Sequence, residues 1–150
     1  MSENTLHLIP LQPAYAPNEQ AVLLAEQFLK SQLAEASEVF ANISSEIRFI
    51  DAGENFEKIA CPVCGKQISG KWWSAAMDDA HKSQFRNLDV VVPCCRSQTN
   101  LNDLNYSFPQ GFARFVLTAK NPDISELEDQ TKDELEQIIG CKLRVIWAHN

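Results

Sequence analysis

The sequence predicts an α+β protein. Three observations carry that expectation: two stretches with the same strand–helix–strand pattern, a cysteine-bearing segment between them, and an ordinary globular balance of residues. The 150 residues are 45% hydrophobic and 22% charged with five Gly and seven Pro, which excludes wholesale disorder and collagen-like or low-complexity repeats. A chain of this length is long enough to bury a core of its own.

The first pattern opens with Leu6-His7-Leu8-Ile9, a short strand stopped by Pro10 and a Pro-containing stretch reaching Pro17. Asn18 can cap a long helix, and apolar residues at 22, 25, 29, 33, 36, 40 and 43 keep to one side of it. A strand over Ile47 to Ile50 completes the unit. The second pattern starts with a strand over Phe112 to Lys120, ended by Asn121-Pro122. Asp123 and Glu126 have capping-box spacing. The helix that follows is expected to bury Ile124, Leu127, Leu135, Ile138 and Ile139, with Gly140 as its left-handed C-terminal cap. Cys141 to His149 reads as the last strand. Strand–helix–strand, insertion, strand–helix–strand is the split βαβ plan of ferredoxin-like folds. The divisions expected are 1–51 and 111–150 for the two halves of the core and 52–110 for an inserted subdomain, all within one compact unit.

The insertion is too long for a plain connection. It holds four of the five cysteines, Trp72, Trp73 and a helix candidate from Trp72 to about Gln84. With few aliphatics, a segment of this size needs a staple to hold its shape. Cys61-Pro62-Val63-Cys64-Gly65 supplies one: two thiolates separated by two residues can face one ion when the backbone curls, and Gly65 relieves the turn. Those five residues resemble the knuckle of zinc ribbons and rubredoxin-like modules. The resemblance implies a second C-x-x-C, and here the sequence departs from it with Val92-Pro93-Cys94-Cys95. Neighbouring residues of a regular strand point to opposite faces, so Cys94 and Cys95 can share an ion only if the chain turns there. The expected site is a structural Zn²⁺ held by Cys61, Cys64, Cys94 and Cys95; His81 is the alternative fourth ligand. Cys141 is expected to be a structural thiol.

Four thiolates leave no position open for water, so the metal is expected to be architectural. No His-Glu-x-x-His and no deaminase signature occurs, and His7, His81 and His149 have no visible catalytic partners. A thiol redox role for Cys61 and Cys64 is the competing chemistry; it calls for a helix directly after the motif, which Gly65 and Gly70 oppose.

The net charge is −7, from 13 basic and 20 acidic residues. Residues 1–51 carry seven acids and two bases, 52–110 six of each, and 111–150 seven and five. An acidic chain is a poor prior for non-specific nucleic-acid binding. The acidic run from Glu126 to Glu136 is read as the solvated side of the second helix. The strands place Ile47 and Phe49, then Ala113, Phe115, Leu117 and Ala119, and then Leu143, Val145 and Trp147 toward the helices, and Arg48, Arg114 and Arg144 on the other sheet face. That face is either covered by the insertion or open as a binding surface; a nucleic-acid-binding zinc module using it is one alternative function. Of Trp72 and Trp73, one is expected to pack and one to be free as a partner anchor, Trp72 being the candidate.

The N-terminus lacks a basic leader and an apolar signal core, and no apolar run is long enough for a membrane span, so a cytoplasmic protein is expected. The function expected is non-catalytic: a zinc-containing adaptor with a protein partner. A bacterial toxin-neutralising (immunity-type) protein would suit the acidic character.

Overall fold

The computed structural model describes residues 3–150. The chain runs β1 (Asn4–Pro10), α1 (Glu19–Gln32), β2 (Glu38–Ile50), β3 (Ile59–Ala60), β4 (Gln67–Ile68), α2 (Gly70–His81), β5 (Asp89–Val91), β6 (Gln98–Asn100), β7 (Asn105–Tyr106), β8 (Gly111–Lys120), α3 (Asp129–Ile139) and β9 (Leu143–His149). It is a mixed α+β arrangement whose named strand pairs are all antiparallel. No helix among the described residues is long and apolar enough to cross a membrane.

Four strands form the main sheet in the order β2-β8-β1-β9. β1 and β2 are joined through α1 with β8 between them, and β8 and β9 through α3 with β1 between them. Asn18 caps α1 by accepting the Ala21 N–H at 2.8 Å, and Gly140 ends α3 with φ +93°. Both helices pack on one face of the sheet. Ala25 and Leu29 from α1 and Leu135 and Ile139 from α3 are buried with Leu6, Leu8, Val39, Phe115, Leu117, Ala119 and Leu143. Tyr15 fastens this layer by donating its hydroxyl to the Ile139 carbonyl at 2.6 Å.

Several local expectations are corrected. The first helix stops at Gln32 instead of continuing to residue 43. The Ser37 N–H and hydroxyl both donate to the Lys120 carbonyl, drawing the chain into the sheet, where Val39 stands opposite Ala119 and Ile43 opposite Phe115. The β-branched and aromatic residues at 39, 40 and 43 gain more from a cross-strand surface than from a helix turn. The Asp123–Glu126 capping box caps nothing. Asp123 has a left-handed φ of +59°, the helix begins at Asp129, and Ile124 is exposed. The last strand begins at Leu143, and α2 spans Gly70–His81, capped by Ser69.

Ile47 and Phe49 also change sides. Between Ile43 and Arg48 the register of β2 breaks: five steps along β2 face two steps along β8, from Phe115 to Ala113. Three extra residues, an odd number, invert the alternation of side chains. Phe49 therefore stands opposite Phe112 and joins a second core beneath the other sheet face.

That second core is built from the middle of the chain. Its buried members include Ile59, Cys61, Ile68, Leu88, Val92, Leu101, Leu104 and Tyr106, and β8 contributes Phe112. Aromatic rings fill it: Phe49 lies 5.8 Å from Trp73 and 5.0 Å from Phe112, and Phe56 stacks on Trp73 at 5.3 Å. Trp72 and Trp73 are both half-buried against this core.

A candidate metal centre at two knuckled hairpins

Two short hairpins carry the cysteines. In the first, β3 and β4 pair Ile59 with Ile68 and Ala60 with Gln67. At its tip the Cys61 N–H donates to the Lys66 carbonyl (2.9 Å) and the Gly65 N–H to the Cys61 carbonyl (3.0 Å), with Gly65 at φ +79°. In the second, β5 and β6 pair Val90 with Thr99 and Val91 with Gln98. There the Val92 N–H donates to the Ser97 carbonyl and the Arg96 N–H to the Val92 carbonyl, both at 3.1 Å, with Arg96 at φ +59°. The two tips are the same turn. Residues 59–68 correspond to 90–99, with Pro62 matching Pro93, Cys64 matching Cys95 and Gln67 matching Gln98.

The correspondence explains how adjacent cysteines reach one point. Cys95 occupies the position of Cys64. The position of Cys61 is taken by Val92, a wholly buried apolar residue, and Cys94 stands where the first tip has Val63. The turn supplies the change of direction that a straight strand would deny Cys94 and Cys95. Arg96 holds without glycine the left-handed geometry that Gly65 adopts freely.

The four Sγ atoms all lie within 4.8 Å of one another. Cys61 and Cys95 are 3.8 Å apart and Cys64 and Cys94 3.3 Å. Tetrahedral coordination with metal–sulfur bonds near 2.3 Å sets the sulfur–sulfur edge at about 3.8 Å. The set can hold a metal ion. Backbone N–H groups of Cys64 (3.4 Å) and Val63 (3.3 Å) point at Cys61 Sγ. These donors, that of Cys64 foremost, bring the Cys61 thiol down to about 6 against the opposing effect of burial. Cys95 is lowered by Ser97, whose hydroxyl oxygen lies 3.2 Å from its sulfur. Burial, reinforced by the neighbouring thiols, pushes Cys94 up to about 12. Thiolates this close repel one another, and a cation between them is what lets all four deprotonate.

His81 is not in the cluster; its ring packs edge-on against Phe85 at 5.5 Å. Cys141 is half-buried beside the helix-side core, with its thiol raised by burial. Cys61-Pro62-Val63-Cys64 lies at a hairpin tip, and the next helix begins only at Gly70.

The three arginines expected on the second sheet face are separated, and two of them, Arg114 and Arg144, are engaged within the chain. Arg144 Nη1 donates to the Asn102 and Gln110 carbonyls, each at 2.8 Å, and lies 3.2 Å from Asn102 Oδ1. Asn102 is itself buried: its Oδ1 accepts the Phe112 N–H, and its Nδ2 donates to the Leu11 carbonyl. Arg114 Nε donates to the Ser44 carbonyl at 3.0 Å. Arg48 Nε and Nη2 are enclosed without a partner among the described residues. In the acidic run, Glu136 departs from the solvated face expected for it. Its carboxylate accepts the Leu143 N–H at 2.8 Å and meets Lys132 and Lys142.

Sequence reasoning missed the supporting groups: Ser97, the buried Val92 and the Asn102–Arg144 link. The matching Pro, Cys and Gln of the two tips were the available signal for the repeated turn. No protein-family model, curated protein or solved structure matches the chain, so the site rests on its own geometry.

Proposed function

We propose that the protein is a non-catalytic binding module in which Cys61, Cys64, Cys94 and Cys95 hold a structural zinc ion that shapes a surface for a protein partner. The observation that carries this reading is the closed donor set: four thiols at tetrahedral spacing, with no histidine, carboxylate or open ligand position among them. All-thiolate tetrahedral sites suit Zn²⁺, and iron is the other metal that favours them. The strand order β2-β8-β1-β9, with α1 and α3 on one face, supports reading the rest as a ferredoxin-like core.

A protein partner is favoured over nucleic acid because Arg114 and Arg144 spend their donors on backbone carbonyls of the same chain, and the net charge is −7. A toxin-neutralising role is one form of this reading, resting on acidic character alone. The hairpin setting of Cys61 and Cys64 counts against thiol redox catalysis, which uses a helix N-terminus to lower the thiol pKa.

Elemental analysis of protein purified without added metal tests the site. One zinc per chain, with thiols slow to alkylate, is expected, and both properties should vanish in Cys94→Ser and Cys95→Ser. Metal-free native protein with freely reacting thiols would overturn the reading and bring thiol chemistry forward.

A further inference from the structure

The two knuckled hairpins differ at one edge. β3 lies between β4 and β7, so its outward backbone groups are taken: Ala60 pairs with Asn105, Ile59 with Tyr106, and the Ser107 N–H donates to the Lys58 carbonyl at 2.9 Å. Its counterpart β5 is paired with β6 alone. The bonds from Val92 N to Ser97 O and from Leu101 N to Leu88 O fix which residues look inward. Backbone groups of an antiparallel strand alternate between its two edges. Leu88, Val90 and Val92 therefore face β6, while Asp89 and Val91 turn outward, as Lys58 and Ala60 do in the first hairpin. The Asp89 N–H is held by Asn87 Oδ1 at 3.1 Å. The Val91 N–H and the carbonyls of Val91 and Asp89 have no partner among the described residues, and Val91 is 58% exposed.

We infer that this open edge of β5 docks an extended segment of a protein partner, added antiparallel as β7 is added to β3. The inference rests on the binding-module reading and gives it a surface. Strand addition uses backbone hydrogen bonds for affinity and side-chain pockets for selectivity. The backbone half is the three unpaired groups. The pocket half is a groove of about 460 Å³ alongside β5, walled by Trp72, Ala76 and Asp79 of α2.

The internal example defines the occupant. The β7 residue opposite Ile59 is an aromatic, Tyr106, packed against Trp73 with ring centroids 6.3 Å apart. At the open edge the corresponding residue stands opposite Val90, beside a groove lined by Trp72. Of the groove's charged residues, Asp79 pairs with Lys82 at 3.5 Å, and Asp89 is left without a cation partner among the described residues. The segment accommodated is a short extended peptide with an apolar or aromatic residue at its centre and lysine or arginine beside it. A second copy of the chain fits less well, since pairing two β5 edges would bring the Asp89 carboxylates of two chains of net charge −7 together.

The test uses metal-loaded, ¹⁵N-labelled full-length protein and the capped peptide Lys-Val-Tyr-Val-Lys. Amide shifts should concentrate at Asp89–Val91 and the Trp72 indole and saturate below about 1 mM peptide, the weak end of specific association. With the tyrosine opposite Val90, N-methylation of either valine removes a bond to the edge and should weaken binding at least tenfold. N-methylation of the tyrosine, whose N–H points away, should leave binding within twofold. Val91→Pro should lose binding as the methylated valines do, and the peptide variants hold even if that protein misfolds. Shifts elsewhere, no shifts at about 5 mM peptide, or indifference to valine methylation would overturn the inference. So would concentration-dependent self-association abolished by Val91→Pro, which would assign the edge to a second copy. Zinc assayed in the same sample separates the failures: metal-loaded protein without edge shifts sinks the docking edge and leaves the tetrathiolate site standing.

Discussion

The two packed regions are held by different means. The sheet–helix core is laid down by strands of seven to thirteen residues and two helices, with aliphatic side chains and Phe115 meeting across the layer. The middle region has strands of two or three residues, below what a sheet needs to persist unaided. Its core is an aromatic cluster under two hairpin tips, and the four thiols join those tips. Where burial is extensive the fold closes through packing; where the ladders are too short, the four thiols stand where a metal crosslink would replace length.

The largest expected break in this contrast is Cys64→Ser. Structural zinc supplies on the order of 10 kcal/mol. Without it, hydrogen exchange should rise across Ile59 to Tyr106, while β1, β8 and β9 keep slow amides. Uniform protection throughout would show that the aromatic cluster holds unaided. Phe115→Ala acts on the other region. Phe115 is fully buried, and its truncation should cost about 3–5 kcal/mol in urea unfolding while refolded protein still carries one metal per chain.

Gly111→Ala strikes the joint between them. A Cβ there would lie 2.7 Å from Arg144 Nη1 and 2.8 Å from Asn102 Oδ1, the pair linking β9 to the middle segment. A loss of about 1–3 kcal/mol is expected, with the exchange behaviour of the two regions uncoupled. An unchanged melting temperature would mean the link relaxes without cost.

The smallest effect is in pH. His7, 3.0 Å from Thr118 Oγ1, is held below its ordinary 6.5 by burial, with Asp51 opposing and Arg48 adding to the shift. The unfolded chain then binds the proton more readily. Stability should be full above pH 6.5 and decline as pH falls toward the lower folded-state value. The slope is at most about 1.4 kcal/mol per pH unit. His7→Asn should flatten that slope between pH 6.5 and 5 in urea titrations; an unaltered slope would place the acid sensitivity elsewhere.

What could be read from the sequence was local. Asn18, Gly140 and the alternation in Phe112 to Lys120 each express a preference that nothing distant overrides. The four cysteines were legible because thiol spacing is a chemical constraint, satisfied within 4.8 Å. Residues 40 and 43 keep a helical period by accident of spacing; their strand is decided by β8, distant in sequence. Asp123 and Glu126 have a capping pattern without a helix beside it. Val92 hid the repeated turn, because a buried valine replaces the cysteine that would have announced it.

The main sheet places β1 between two strands far along the chain, Leu6 facing Ala119 on one side and Trp147 on the other. The thiol contacts span only 30 and 34 positions. Ile50, where the chain leaves the sheet, stands opposite Gly111, where it returns. Once the hairpin tips are tied, the long excursion between those residues behaves as a compact hairpin, and the entropy of closing it has already been met. An ion held by the four thiols would thereby turn assembly of the sheet from a search over a long loose loop into the docking of near neighbours, and metal supply would then bear on the rate of folding as well as on the final stability.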